Sequence, residues 1–376
     1  MSTRRRGNGE GSIGKHPKDY WWSRVRLSDG RRKAYYGKTR QEVVEKIDEA
    51  RATLRAGVDL SGDQITLDTL ASEWLVDVRP SLAHKTYVSY ESLLRIHLLP
   101  TLGRKKLSKI GPRDIQAAYS APLSNGVSAA TIGNAHRALH TCLERAIQWG
   151  HLAKNPSDYV DRPKVTPREM ARLSEEEVQR FLGVTRGHRL EALFSLALTT
   201  GARSGELLGL QWSDVDLDHG TIRIRQSLKK IRGGYELGDT KTPKSRREVE
   251  IGPASVQQLR SHRAGQDEEI LRLGPVWDSS WGLVFANTVG RPLDQRHVLQ
   301  RQFRPLALAA GLPSTLRFHD LRHIFASLTL SKGMEVTRVS AMLGHSNPAT
   351  TYRVYNYAIP GSSRTVAAVM DKILAG

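Results

Sequence analysis

Three prolines fall within fifteen residues, Pro156, Pro163 and Pro167 in "NPSDYVDRPKVTPRE", and no regular element runs unbroken through such a stretch. Each lacks a backbone donor and biases the residue before it toward extended backbone. Residues 155–169 therefore read as an extended linker, and the chain must fold as separate bodies on its two sides. Its 376 residues suffice for two or three cores, none of which needs staples. A single cysteine, Cys142, excludes a disulfide framework and fits a reducing, cytosolic setting.

Upstream of the linker the hydrophobic period changes once. Residues 18–37 alternate apolar and basic positions around an Asp29-Gly30 turn, which predicts a β-hairpin, with a third short strand near Gly11 to Ile13. Thr39 then offers an N-cap for a helix whose apolar positions are Val43, Ile47, Ala50 and Leu54. From Thr66 to about Asn155 the pattern is helical throughout: one helix through Leu67, Leu70, Trp74 and Val78, another from Tyr90 ending at Pro100, a third from Ile132 to Trp149. Beyond the linker, Ser174 and Glu177 form a capping box, and a helix over Arg189 to Thr199 follows. Residues 221–251 read as three strands joined at Gly233-Gly234 and Pro243-Lys244, after which the chain is helical again. The expected architecture is multidomain α+β. A three-stranded sheet plus helix spans 1–62, an all-α bundle 63–161, and a mainly α domain with a small antiparallel sheet 162–376.

The net charge of +19 points to a polyanion as partner. Residues 1–40 carry twelve Lys or Arg against three acidic residues, a local charge of +9 interleaved with aromatic side chains. Arg24, Arg26, Arg31 and Arg32 on the hairpin, with Lys105 and Lys106 in the helical segment, are the candidate nucleic-acid contacts. Arg4, Arg5 and Arg6 are followed by no apolar run, so no secretory signal is expected, and no stretch approaches a membrane span.

Four pieces of the third segment carry chemistry: "GARSGELLGL" with Arg203 and Glu206, "TKTPKSRR" with Lys241, "HDLRH" with His319 and Arg322, and "LGH" with His345, trailed by Tyr352, Tyr355 and Tyr357. An Arg-x-x-Glu pair is usually a surface ion pair, and Lys241 alone is an ordinary exposed lysine. In a helix starting near His319, Leu321, Ile324, Phe325 and Leu328 form the buried stripe, leaving His319 and Arg322 directed away from the core. His319 and His323 have the spacing of a zinc-binding helix, yet Asp320 replaces the usual Glu, Arg322 would set a cation beside the metal, and no third ligand is evident. No metal and no cofactor are expected.

Two arginines, a lysine, two histidines and a tyrosine, without a Gly-rich nucleotide loop, suit a phosphodiester under attack. Charge grows on its nonbridging oxygens, and each well-placed donor is worth roughly 10²–10³ in rate. A tyrosine of pKa about 10 is about a thousandth ionised at neutral pH, so it needs cations and a base to attack. The leaving 5′-hydroxyl needs a proton donor.

The ordered set Arg203, Lys241, His319-x-x-Arg322, His345 and Tyr355 resembles the tyrosine recombinase family, the phage integrases, over roughly Arg172 to Pro360. The two upstream segments look like that family's arm-type DNA-binding module and core-binding domain. The resemblance implies that Arg203 and Arg322 clamp the scissile phosphate, that His319 and His345 complete its hydrogen-bonding shell, that Lys241 protonates the 5′-oxygen, and that Glu206 supports the site. The spacing of family members after the Thr350-Thr351 pair marks Tyr355 as the nucleophile, with Tyr352 and Tyr357 as neighbours that pack or orient it. Further implications are a homotetramer on double-stranded attachment sites, a Holliday junction, an excisionase or directionality factor, a DNA-bending host protein, and the bacterial cytoplasm as location. A type IB topoisomerase, a conjugative-element transposase and a non-catalytic DNA-binding regulator are the competing readings.

Overall fold

The computed structural model describes residues 13–26, 30, 32–55, 65–166, 170–231, 233–239 and 245–358. It divides into two compact units, Met1–Pro167 and Arg168–Gly376. The break comes at the end of the proline-rich stretch, whose first half departs from the expected linker. Pro156–Tyr159 form a 3₁₀ turn. Asn155 and Ser157 are buried, and Asn155 Nδ2 donates to His140 O (3.1 Å) and Glu144 Oε1 (2.7 Å). A buried amide whose desolvation is offset by partners on a neighbouring helix is anchored there, so this half belongs to the first unit.

In the first unit, strands β1 (Gly14–His16), β2 (Tyr20–Arg26) and β3 (Arg32–Gly37) pair antiparallel in sequence order. Alternation puts Ser23 and Val25 inward and Arg24 and Arg26 outward. Helix α1 (Arg40–Arg55) closes the inner face, with Val25, Val43, Ile47 and Ala50 as its small core. Thr39 Oγ1 accepts the Glu42 N–H at 3.1 Å, and the Glu42 carboxylate reaches back to Lys38 N at 2.8 Å. The first strand begins at Gly14; residues 11 and 12 of the expected strand lie outside the described residues.

Helices α2 (Leu67–Val78), α3 (His84–Leu93), α4 (Leu99–Leu102), α5 (Pro112–Ser124) and α6 (Ala129–Gln148) enclose a second core built on Leu70, Trp74, Leu98, Ile115, Tyr119, Leu139 and Cys142. The helix expected to end at Pro100 continues past it. Leu94–Leu98 form a π turn just before the proline, and a wider turn there relieves both the missing N–H of Pro100 and its clash with the preceding turn.

In the second unit, α7 (Glu175–Thr185) starts with the reciprocal Ser174–Glu177 box (3.2 and 2.9 Å). Helix α8 (Glu191–Thr200) is buried along almost its whole length, and its one polar stripe, Glu191, Ser195 and Thr199, meets Gln258 and Ser255 of the next long helix. Short α9 (Ser204–Leu208) follows. Where three strands are expected over 221–251, the described residues form four, divided between two sheets. β4 (Val215–Asp216), β5 (Thr221–Ile224) and β8 (Arg247–Glu250) form one, and β6 (Gln226–Ile231) pairs with β7 (Gly234–Asp239) in a hairpin. The switch comes at Arg225, the one residue between β5 and β6, whose guanidinium is held 2.8 Å from buried Asp214. The remaining α-helices among the described residues are α10 (Pro253–Leu273), α11 (Gln295–His297), α12 (Arg304–Ala309), α13 (Asp320–Ser331), α14 (Val336–Leu343) and α15 (Pro348–Tyr355). A smaller cluster of Phe325, Ala326, Leu330, Val339, Leu343 and Tyr355 joins the last three.

Candidate active site

Two left-handed glycines set the frame. Gly201 (φ +60°) ends α8 so tightly that a Cβ there would lie 2.4 Å from Phe325. Gly344 (φ +65°) ends α14 and directs the chain into His345; a Cβ there would press on the Arg247 guanidinium at 3.0 Å. Only glycine adopts both conformations without strain.

Arg203 is the N-cap residue of α9, where its backbone N–H bonds Glu206 Oε2 (3.0 Å) and its Nη1 bonds Glu206 Oε1 (2.7 Å). The pair is no surface ion pair, because Glu206 is 3% exposed. Burial would raise its pKa, but the charges and hydrogen bonds of Arg247 and Arg203 outweigh that and hold the carboxyl below its ordinary value. Arg247, from β8, donates to Glu206 (2.9 Å), Met342 O (2.5 Å) and Ser245 O (3.0 Å), and thereby ties the sheet to α9 and α14.

Arg322 overturns the helix reading. It is 4% exposed, turned into the protein, with Nη1 on Gly201 O (2.8 Å) and Nη2 on Leu343 O (2.6 Å). Helical periodicity sends a charged side chain outward; two carbonyls at the C-terminal ends of α8 and α14 offset the desolvation here. Burial, with Arg203 and Arg247 nearby, lowers its pKa to about 9, so it stays a cation at neutral pH. Two of its five N–H groups are used on these carbonyls, which leaves three for an anion.

His345 Nδ1 is 2.7 Å from the buried Thr351 Oγ1. Burial and the charges of Arg322, Arg203 and Arg247 push its pKa down to about 4, so it is neutral near pH 7. His319 is more open than His323 and His345; partial desolvation and the adjacent His323 hold its pKa below the ordinary value. Tyr355 ends α15 at 1% exposure. Burial pushes its hydroxyl up to about 12, with Arg322 acting in the opposite direction.

Among the tyrosines, Tyr357 (40% exposed) bonds Ser327 Oγ at 2.8 Å and lies under Arg172 at 4.0 Å, while Tyr352, at 59% exposure, is turned to solvent rather than packed, contrary to expectation. Lys241 lies outside the described residues, two positions beyond β7. Sequence reasoning passed over Arg247 as one more strand arginine. It also set aside His323 with the rejected zinc pair, and His323 Nδ1 lies 2.6 Å from Tyr355 Oη. The only available signal for it was its place one turn from His319.

Outside this site, Arg24, Arg26 and Arg32 are exposed on the outer face of the N-terminal sheet, with Arg24 over the Trp22 ring at 4.9 Å. Arg31 lies outside the described residues. Lys105 is paired with Asp114 at 2.5 Å, and half-buried Lys106 bridges to Thr66 through its backbone. No helix among the described residues is long and apolar enough to cross a membrane.

Residues 171–359, which hold every one of these site residues, match the family model described as phage integrase family. The chain belongs to the phage integrase family. Residues 66–121 of this integrase also match the phage integrase N-terminal SAM-like domain. It is 33% identical to a tyrosine recombinase XerC-like protein of Caldanaerobacter subterraneus, over 96% of this chain and 97% of that one, and 29% identical to an integrase of Streptomyces ambofaciens, over 90% and 88%. Its fold is that of a Tn1549 transposon integrase solved with transposon right-end DNA (TM-score 0.69, 22% identity, 83% of this chain, 100% of that one). A lambda integrase solved as a tetramer on a Holliday junction is also similar (TM-score 0.58, 19% identity, 96% and 99%). The integrase is a DNA strand-breaking and rejoining enzyme that carries out site-specific recombination.

Proposed function

We propose that this integrase cuts each strand by attack of Tyr355 Oη on the scissile phosphorus. The O–P bond forms as the P–O5′ bond breaks, leaving a 3′-phosphotyrosyl intermediate; the 5′-hydroxyl of the partner strand then reverses the step. One phosphodiester is exchanged for another, so no external energy source is needed. Arg203 and Arg322 clamp the nonbridging oxygens, His345 and His319 complete the shell, Glu206 keeps Arg203 in register, and Lys241 gives the 5′-oxygen its proton. The observation that carries this reading is Arg322, buried beside Tyr355 with three donors unspent on the protein. Guanidiniums take the part that a divalent ion plays at other phosphoryl-transfer sites, so the chemistry is metal-independent.

In this reading residues 1–62 form an arm-type DNA-binding module, 63–161 the core-binding domain and 162–376 the catalytic domain. The outer sheet face, where Arg26 stands directly opposite Arg32, supports a phosphate partner for the first, since like charges so paired repel unless an anion joins them. The enzyme works as a homotetramer on two attachment sites in the bacterial cytoplasm, through a Holliday junction. An excisionase or directionality factor and a DNA-bending host protein assist it.

The test is a nicked suicide duplex carrying the core site recovered from DNA next to the chain's own gene. Wild type forms a covalent adduct in EDTA, Tyr355→Phe forms none, and Tyr352→Phe matches wild type. No wild-type adduct would sink the proposal; an adduct with Tyr355→Phe would sink the choice of nucleophile.

A further inference from the structure

Attack by Tyr355 leaves the phenolic proton without a destination, and the site holds a histidine that has no part in clamping the phosphate. His323 Nδ1 is 2.6 Å from Tyr355 Oη, with the two ring centres 5.7 Å apart. This contact joins the first turn of α13 to the last residue of α15, thirty-two positions on. We propose that His323 is the proton acceptor for Tyr355 during strand cleavage and returns that proton when the tyrosine leaves during rejoining.

The other two histidines are differently placed. His345 has its Nδ1 engaged with Thr351 Oγ1 and is surrounded by the fields of Arg322, Arg203 and Arg247, a position suited to the phosphate. His319 stands edge-on to the His323 ring, centres 5.3 Å apart and perpendicular, at the open side of the site. Around His323 stand Asp320, Arg322, Arg317, His319 and Tyr355. Burial first, then the two arginines, lower its pKa against the opposing pull of Asp320, so the ring is neutral and able to accept at neutral pH.

The step balances. The Tyr355 O–H bond breaks as Nδ1–H forms, the freed oxygen pair attacks phosphorus, and the P–O5′ pair leaves on the 5′-oxygen, which is protonated separately. In rejoining, Nδ1–H returns its proton to the departing tyrosine oxygen, as reversibility requires. This partner gives a tyrosine buried this deeply a direct route to its anion.

The inference rests on the reading of Tyr355 as nucleophile, and the experiment separates the two. His323→Asn keeps a hydrogen-bonding group near the tyrosine but cannot take a proton. On the nicked core-site duplex, adduct formation should slow by roughly 100-fold with core-site binding unchanged. A 5′-bridging phosphorothiolate, whose sulfur leaves without a proton, should not restore the rate. The pH–rate profile should lose the limb that falls below the ordinary histidine value. Wild-type speed in His323→Asn, or rescue by the phosphorothiolate, overturns the inference while the Tyr355→Phe result leaves the nucleophile standing. If His323→Asn does not fold, the ¹⁵N shift of His323 Nδ1 decides: it must move between wild type and Tyr355→Phe, and an unmoved signal overturns the contact.

Discussion

Arg247 holds one oxygen of the Glu206 carboxylate at 2.9 Å, while the other oxygen lies 2.7 Å from Arg203, and both Arg247 and Glu206 are almost fully enclosed. A buried carboxylate between two guanidiniums fixes the arginine proposed to meet the phosphate, and the second arginine keeps the carboxylate ionised. Removing Arg247 leaves Glu206 with half its compensation and Met342 O without its donor. Arg247→Leu should cost about 3 kcal/mol of stability, the low end for breaking a buried pair because Arg203 remains. Urea unfolding measures this, and a loss under about 1 kcal/mol would show the pair to be incidental.

The same carboxylate carries a pH signature. Its folded-state pKa is depressed below the ordinary 4.5, so its contribution to stability is complete above that value and is lost as pH falls through the lower folded pKa. The wild type should therefore exceed Glu206→Gln in stability at pH 7, and the gap should close below pH 4.5. Denaturant midpoints of both proteins between pH 7 and 3 test the sign; a gap that widens in acid contradicts it.

Asp294 links the β6–β7 hairpin to the body of the second unit. Its Oδ2 accepts from Lys230 Nζ (2.6 Å) and Tyr235 Oη (2.8 Å), and its Oδ1 caps the N–H groups of Arg296 and His297. Since β7 leads to Lys241 two residues on, Asp294→Ala should release the proposed acid without touching the phosphate clamp. Adduct formation should slow about tenfold to a hundredfold on a normal duplex and recover on the 5′-phosphorothiolate. Slowing that the phosphorothiolate does not relieve would assign Asp294 to some other role.

What could be read in advance were features decided by neighbours in sequence. The Thr39 and Ser174 caps, the alternation of β2 and the turn at Gly233 each depend on a few adjacent residues, and each is present. Arg203, His319, Arg322, His345 and Tyr355 could also be singled out in advance as one candidate set, because those residue types would suit one reaction. Orientation could not. Arg322 turns inward because Gly201 O and Leu343 O await it, and the first of these is 121 positions away. Arg247 and His323 read as ordinary residues for the same reason, since each takes its meaning from a partner 41 and 32 positions distant. Pro100 misled locally, since the π turn that accommodates it has no sequence mark of its own.

On the N-terminal sheet, Arg26 and Arg32 are directly opposed across β2 and β3, both exposed, and neither has an acidic residue across the ladder. Such a pair destabilises an isolated sheet by roughly 0.2–1 kcal/mol, a cost that a phosphate between them would reverse. Lys105 offers the contrast, its charge already met by Asp114. Replacing Arg26 and Arg32 together with Gln should leave the full chain as stable or slightly more so. It should also weaken binding to random-sequence duplex and reduce the slope of log affinity against log salt by about 0.9 for each phosphate that is no longer neutralised. Lys105→Gln should alter that slope far less. Equal slopes for the double variant and wild type would mean that this face does not meet DNA, and the charge of the first forty residues would need another partner.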